Sequence, residues 1–188
     1  MTKIIIAISG KRKSGKDYCS NKIKEAFETK DIPVSTSGIS HKLKEEYAKT
    51  HGLDFEELLT DGPYKERFRK DMIQWGEEAR SRDPGIFCSA AIDSVSRSGV
   101  VIISDCRRAS DYAFFKLNYK TLTIRVETSE ENRKQRGFQF VEGIDDAESE
   151  CGLDEYHHDF VLKNLTGENI SPQIEQIVEM TLNLMNKS

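Results

Sequence analysis

Short apolar runs alternate along the chain with longer amphipathic segments. Residues 4–8 and 100–103 are continuous runs of mostly β-branched residues, the pattern of strands buried on both faces of a sheet. Weaker runs predict strands at 32–35, 122–126 and 159–162. The segments of helical length are 15–30, 42–51, 64–81, 86–96, 108–117, 129–136 and 172–186. Strands separated by helices pair in parallel through crossovers, so the pattern predicts an α/β fold with a doubly wound parallel sheet.

Local signals mark the ends of some of these elements. Thr128 and Glu131 have the spacing of a capping box at the start of the sixth helix, and Gly137 suits its C-terminal end. In a doubly wound sheet, ligands bind beyond the carboxyl ends of the strands. The residues that follow the two strongest strands, Ser9-Gly10 and Ser104-Asp105, are therefore expected to lie at a ligand site.

The composition limits the class of protein. A chain of 188 residues predicts a single domain, 1–188, and its 32% charged and 37% apolar residues are typical of a soluble globular protein. The four cysteines lie far apart without a C-x-x-C pair, so we expect reduced thiols. No apolar run suits a signal peptide, and the C-terminus carries no peroxisomal address. These features predict a cytosolic protein without membrane partners.

The formal net charge of −4 argues against a general nucleic-acid binder, so any polyanion site must be a local concentration of cations. The sequence GKRKSGKD at 10–17 is such a concentration, placed between a predicted strand and a predicted helix. In that context G-x-x-x-x-G-K is the pattern of a phosphate-binding loop, whose backbone N–H groups and lysine hold nucleotide phosphates. The predicted nucleotide-binding residues are Gly10, Lys11, Arg12, Lys13, Ser14, Gly15, Lys16 and Asp17.

Three cations of this loop are candidates for catalysis. Lys16 is expected to bridge the β- and γ-phosphates. Arg12 or Lys13 would reach the transferring group in the manner of an arginine finger, with plain solvent exposure as the alternative.

Two aspartates are candidate ligands for Mg²⁺. Asp17 stands where such loops usually carry the Ser or Thr hydroxyl that binds the metal. The phosphates of ATP alone would repel a carboxylate there. With Mg²⁺ between them, the carboxylate would be a hard oxygen ligand of the metal, so ATP and Mg²⁺ are the expected cofactors. Asp105 has the position of a Walker B aspartate, and the alternative is that it caps the next helix.

Further cations lie where an acceptor would sit. Lys65, Arg69 and Arg80 fall beside the apolar face of the helix at 64–81 when residues are spaced by about 100°. Basic side chains also snorkel at such borders without any functional role. Arg107 and Arg108 follow Asp105 at the carboxyl end of a strand, where a second anion would bind.

Arg133 and Arg136 form a cationic face suited to a lid over the phosphates. The sequence offers no obvious general base, and His157 and His158 are expected to be ordinary surface residues. A phosphate acceptor is already ionised, so its phosphorylation requires positioning and charge neutralisation rather than proton abstraction. The residues therefore favour a kinase that acts on a phosphorylated acceptor.

Several segments resemble, in the same order, those of the animal-type phosphomevalonate kinases, which are P-loop enzymes with a fold like that of nucleoside monophosphate kinases. The segments are GKRKSGKD, LKEEYAKTHGL, YKERFRKDMIQWGEEAR, SDCRR, RKQRG and DDAESECGLD. The resemblance is consistent with an acceptor-binding helical region at about 40–96 and a mobile lid at about 129–152. No chemical role follows for the acidic residues 145–154, for which a solvated lid loop is one alternative.

The resemblance implies transfer of the γ-phosphoryl group of ATP to (R)-5-phosphomevalonate, in the mevalonate route to isoprenoids and sterols. It implies that Arg133 and Arg136 contact ATP from the lid. The implied acceptor-binding residues are Lys44, Lys65, Arg69, Arg80, Arg107, Arg108 and Asn164. We expect a monomer. A nucleoside or nucleotide kinase of the same fold and a nucleotide-gated interaction module remain as alternatives.

Overall fold

Five parallel strands form one sheet in the computed structural model, which describes residues 3–60, 62–95 and 99–186. The strands are β1 (Lys3–Ser9), β2 (Val34–Ser37), β3 (Gly99–Ile103), β4 (Lys120–Glu127) and β5 (Phe160–Lys163). Their order across the sheet is β2-β3-β1-β4-β5, and every neighbouring pair is parallel. The predicted doubly wound sheet is confirmed.

Helices connect the strands. They are α1 (Lys16–Glu28), α2 (Ile39–His51), α3 (Phe55–Leu59), α4 (Pro63–Arg82), α5 (Ile86–Asp93), α6 (Ala109–Asn118), α7 (Glu130–Gln135), α8 (Glu148–Cys151) and α9 (Ser171–Asn186). The short helices α3 and α8 were not predicted. Within the described ranges, no helix combines the length and the apolar character needed to cross a bilayer.

The central strand β1 explains the continuous apolar run at the start of the chain. Ile6 and Ile8 pack into a core cluster with α1 and α9, whereas Ile5 and Ala7 pack with α5 and α6 on the other face. Because helices cover both faces, successive side chains of the strand are buried in both directions and polar alternation is absent.

A third apolar cluster holds α2, α3 and α4 together. Its buried members are Tyr47 and Ala48 of α2, Leu58 of α3 and Met72 of α4, with Trp75 packed against them. Met72 and Ala79 are buried, as the helical spacing predicts for the inner face of α4. The packing fixes α4, which carries the candidate acceptor cations, against the rest of this helical region.

Several element boundaries differ from the sequence-based prediction, among them the start of β2 and the end of α5. Strand β2 begins at Val34 instead of Ile32, because Ile32 donates its N–H to the carbonyl of Phe27 and Pro33 has no N–H to donate. Helix α5 ends at Asp93, and residue 96, where the prediction ended, lies outside the described residues.

The predicted capping box of α7 is wrong by one residue. Ser129 is the N-cap, and its hydroxyl accepts a hydrogen bond from the Asn132 N–H, while the Thr128 hydroxyl donates to the Asn164 carbonyl. The predicted end is confirmed, because Gly137 has a φ of 80° and Phe138 donates its N–H to the carbonyl of Arg133, as in a Schellman motif.

A polar network lies at the carboxyl end of β1. The Tyr112 hydroxyl donates to Ser9 Oγ at 2.8 Å, and His158 Nε2 lies 3.4 Å from the same oxygen. Burial, with a smaller effect from the Arg125 charge, lowers the pKa of His158 to about 4. His158 is therefore not the surface residue that we expected, whereas His157 is exposed.

We predict that His158 makes the fold sensitive to mild acid. Between its ordinary pKa of 6.5 and about 4, the unfolded chain binds a proton that the folded chain excludes, so stability falls as the pH falls. Replacing His158→Gln keeps a polar side chain without titration and should flatten this part of the profile. Thermal unfolding midpoints between pH 7 and 4 measure the effect, with His157→Gln as the matched control. The same slope in both variants would contradict the prediction.

Candidate active site

The phosphate-binding loop runs from β1 to α1, and its backbone has the conformation that its glycines allow. Gly15 has a φ of 89°, and a β-carbon there would lie 2.2 Å from the side-chain nitrogen of Asn164. Lys13 also has a positive φ, of 61°, which is unusual for a residue with a side chain. A larger residue at position 15 would collide with Asn164, so the close approach explains the second glycine of the motif.

Lys16 lies back across its own loop. Its ammonium group donates to the carbonyl oxygens of Gly10 at 2.6 Å and Lys11 at 3.1 Å. Burial is the main cause that lowers the pKa of Lys16 to about 8, and the nearby Arg107 charge contributes. Bound phosphates would stabilise the charged form, as expected for a lysine that serves a polyanion.

Arg133 of α7 and Arg136, the C-cap residue of that helix, hold carbonyl groups of the loop. Arg133 Nε donates to the Arg12 carbonyl at 2.9 Å, and its guanidinium lies over the Phe138 ring. Arg136 donates to the carbonyl of Ser14 at 2.9 Å and to that of Asn164 at 3.1 Å. Both arginines lie next to the predicted nucleotide site, and in this arrangement they support the shape of the loop.

Six of the predicted acceptor residues line one cavity of about 210 Å³. The six are Lys44, Lys65, Arg69, Arg80, Arg107 and Arg108. They come from three separate parts of the chain: α2, α4 and the turn after β3. The tertiary structure therefore brings together cations that the sequence separates by more than 60 positions.

Charge is concentrated in this cavity. Burial and the neighbouring charge of Arg108 lower the pKa of Arg80, whose guanidinium lies 4.9 Å from the centre of the Phe87 ring. Arg108 pairs with Glu77, and the backbone N–H groups of Arg107 and Arg108 both donate to the Asp111 carboxylate. An anionic ligand would relieve the repulsion between these cations.

Asn164 is not among these lining residues, and its predicted acceptor role stays a prediction. Its side chain is buried behind the phosphate-binding loop and donates to the Ser14 carbonyl at 2.9 Å. The backbone N–H of Asn164 continues the pairing of β5 with β4 by donating to Glu127. Asn164 therefore shapes the loop from behind.

The acidic segment 145–154 is not a solvated loop. Asp145 and Glu150 are buried, and Asp145 pairs with the Arg12 guanidinium at 3.2 Å. Asp154 pairs with Lys11 at 2.5 Å and also with Arg125. The segment thus neutralises cations of the phosphate-binding loop, a role that sequence reasoning did not assign.

A second cavity, of about 300 Å³, adjoins the loop. Lys11, Ser14, Arg125, Arg133 and Asp154 are among its lining residues. Sequence reasoning missed Arg125, although an arginine within an otherwise buried strand is a recognisable signal. Lys11 and Ser14 are shared with the predicted nucleotide-binding set, so this space adjoins the phosphate-binding loop.

Comparison with known proteins agrees with this geometry. The family model described as phosphomevalonate kinase matches residues 8–121. A phosphomevalonate kinase of Drosophila melanogaster is 41% identical over 157 residues, which are 80% of this chain and 82% of the relative. The chain belongs to the phosphomevalonate kinase family. Membership confirms the kinase class that the cations and the loop predict.

Solved structures of low sequence identity share the fold of this phosphomevalonate kinase family member. An APS kinase of Mycobacterium tuberculosis superimposes with a TM-score of 0.53 at 12% identity, covering 97% of this chain and 98% of that one. A shikimate kinase of Aquifex aeolicus gives 0.51 at 15% identity, with 95% and 96% covered. The likeness supports the predicted kinase fold.

Asp105 caps a helix in this family member. Its carboxylate accepts hydrogen bonds from Ile39 N at 2.7 Å, Ser40 N at 2.8 Å and Ser40 Oγ at 2.5 Å. The capped helix is α2, which starts three residues before the predicted position 42, and not the helix that follows Asp105. These bonds explain the early start of α2. Both carboxylate oxygens of Asp105, a predicted metal ligand, accept hydrogen bonds from that helix.

We predict that Asp105→Ala lowers the free energy of unfolding by about 1–2 kcal/mol without any nucleotide or metal, because α2 loses its cap. Urea denaturation measures the change. Asp17→Ala is the matched control, since Asp17 is exposed in the first turn of α1 and only a helix-dipole effect of less than about 1 kcal/mol is expected. Equal effects of the two substitutions would argue against the capping role.

Proposed function

We propose that this chain transfers the γ-phosphoryl group of ATP to the phosphate of (R)-5-phosphomevalonate, giving the 5-diphosphate and ADP. The observation that carries the proposal is the cavity lined by six cations beside a phosphate-binding loop. The name of the family and that of the Drosophila melanogaster relative support the choice of acceptor.

The lining of the cavity suits this acceptor chemically. Its apolar residues include Leu43, Met72, Ile73 and Ile144, which would pack against a short branched carbon chain. The cations would hold a phosphate at one end of that chain and a carboxylate at the other, and guanidinium groups bind both through paired hydrogen bonds. Acceptor and ATP together bring about seven negative charges, which Mg²⁺ and the clustered cations would largely offset.

The reaction on this substrate needs no general base, and the cavity agrees. Three carboxylates occur among the described lining residues of the cavity, and each forms hydrogen bonds or an ion pair with other residues of the protein. Asp105 caps α2, Asp111 accepts from the turn after β3, and Glu77 pairs with Arg108. An ionised phosphate oxygen can attack the γ-phosphate without losing a proton, so positioning and charge neutralisation are the main requirements.

Different residues of the loop would bind the nucleotide phosphates and contact the group in transfer. Lys16 and the backbone of residues 10–16 would bind the β- and γ-phosphates, with Lys13 and Arg12 nearest to the group in transfer. Asp145 already holds the Arg12 guanidinium, and Glu150 accepts from the Arg12 backbone N–H, so the residue is positioned before any ligand binds. Arg133 and Arg136 would support ATP from the side of α7.

Magnesium would be held at Asp17. No three His, Cys, Asp or Glu side chains converge as a metal-binding group within the described ranges, and Mg²⁺ in kinases is usually held by one or two carboxylates together with phosphate oxygens and water. Asp17 is exposed at the start of α1, which fits this role, whereas the Asp105 oxygens serve as a cap. The metal, when bound, offsets charge on the β- and γ-phosphates.

An acceptor with a nucleobase fits the cavity less well. The described lining residues of the cavity include neither an aromatic ring for base stacking nor a side-chain amide for base recognition. A nucleotide-gated interaction module would leave the six cations without a ligand. A single domain, a lid at about 129–152, a helical acceptor region at about 40–96, a monomeric state and a cytosolic location stay predictions.

We predict acceptor-specific turnover. The purified protein with ATP and Mg²⁺ should release ADP at about 1 s⁻¹ or faster with (R)-5-phosphomevalonate, because its cavity neutralises both anionic ends. Parallel reactions with AMP, CMP, UMP, a deoxynucleoside or no acceptor should be slower by at least about a hundredfold, a difference of ~2.7 kcal/mol. Equal ADP release without an acceptor, or release only with a nucleotide, would overturn the proposal.

A matched pair of variants on α4 assigns that turnover to the cavity. Arg80→Gln removes a cation from the lining and should raise the acceptor KM at least about tenfold, or ~1.4 kcal/mol, with little change for ATP. Arg82→Gln removes the same charge from an exposed site on the same turn and should leave both KM values unchanged. Equal effects would place the acceptor elsewhere.

We predict that Asp17→Asn raises the Mg²⁺ concentration needed for half-maximal turnover, because a neutral amide is a weaker ligand than a carboxylate. The KM for phosphomevalonate should change much less. Initial rates across a Mg²⁺ titration at fixed ATP measure the effect. Proportionate losses in both quantities would show that Asp17 does not act through the metal.

A further inference from the structure

Glu150 contacts both substrate sites with one carboxylate. Its side chain is only 3% exposed. Oε2 accepts a hydrogen bond from the backbone N–H of Arg12, in the phosphate-binding loop, at 3.0 Å. Oε1 accepts from Nη1 of Arg107, which lines the acceptor cavity, at 2.6 Å. The nucleotide loop and an acceptor-binding arginine are thus joined through a single residue of the short helix α8.

The bond to Glu150 occupies one nitrogen of the Arg107 guanidinium. A guanidinium is planar, and its Nε and Nη2 form one donor edge while Nη1 lies outside that edge. The backbone N–H of Arg107 is fixed by Asp111 at 2.9 Å. Nε is buried and has no partner among the described residues. With Nη1 held, the guanidinium plane is fixed and its Nε edge keeps its hydrogen-bonding capacity.

The charge of Glu150 works against ligand affinity. A buried carboxylate repels the anions that this site collects, and it costs desolvation energy unless its partners are well placed. Two partners satisfy it here, one from each site. A residue that weakens ground-state binding of both substrates raises the rate only if it improves the alignment reached in the transition state.

We propose that Glu150 is a positioning residue that holds Arg107 at a fixed place relative to the phosphate-binding loop, so that the acceptor phosphate meets the γ-phosphate in line. The proposal rests on the function proposed above. Glu150 touches neither reacting group. It acts through the Arg12 backbone and the Arg107 side chain, and small errors in such alignment are costly to the rate.

The test compares Glu150→Gln with Glu148→Gln, which removes the same charge from an exposed position on the same helix. Glutamine has the shape of glutamate, but its NH₂ group is a donor and replaces one of the two oxygens that each accept from a different partner, so one of the two bonds is lost. In Glu150→Gln, kcat should fall at least about tenfold, while KM for phosphomevalonate stays unchanged or falls because repulsion is removed. Glu148→Gln should leave both constants unchanged.

A double-mutant cycle with Arg107→Gln shows whether Glu150 acts through that arginine. Coupled residues are non-additive, so Glu150→Gln should cost much less turnover in the Arg107→Gln background than in the natural sequence. Fully additive losses would overturn the proposal. A raised KM together with a lower thermal midpoint in Glu150→Gln would also overturn it, because it would indicate a merely structural role.

Failure of the proposed function would look different. If the natural sequence itself showed no turnover with phosphomevalonate, the acceptor assignment would fall, and the same cycle would be measured on the free energy of unfolding. Non-additive destabilisation by Glu150→Gln and Arg107→Gln would support the tie between loop and cavity. Additive destabilisation would reject it whatever the acceptor is.

Discussion

The repulsion among clustered cations is the constraint on which the rest of this structure depends. A site for two polyanionic substrates must gather positive charge, and the phosphate-binding loop and the acceptor cavity gather it at one edge of the sheet. Without ligands these charges oppose folding. Burial is the main cause that lowers the pKa of Lys16, and the charge of Arg107 adds to it.

The acidic segment offsets that cost. Asp145, Glu150 and Asp154 are paired with Arg12, Arg107 and Lys11, so negative charge lies beside the positions where phosphates would arrive. Internal carboxylates of this kind keep the ligand-free protein stable and hold the cationic side chains in defined places. They also repel anionic ligands and so reduce the affinity of the site. We propose that the fixed positions of the cations compensate by improving alignment in the transition state.

The parallel sheet decides which loops can meet. β1 lies between β3 and β4, so the loop that follows β1 is next to the turn that follows β3 and to the end of β4. Asp105 links this edge to α2 by capping it, and the apolar cluster of α2, α3 and α4 sets α4 over the cavity. The packing of this helical region therefore fixes the positions of Lys65, Arg69 and Arg80.

The sequence by itself determined the features whose signals are local. The β-branched runs specified strands buried on both faces, the glycines and lysine specified the phosphate-binding loop, and helical spacing put the cations of α4 beside its apolar face. Only the tertiary structure decided that Asp105 caps α2, that Asn164 lies behind the loop, that His158 is part of a polar network and that residues 145–154 pair with cations. Each of these depends on a contact between residues dozens of positions apart, and no periodicity or motif encodes which distant partner a carboxylate, amide or imidazole will meet.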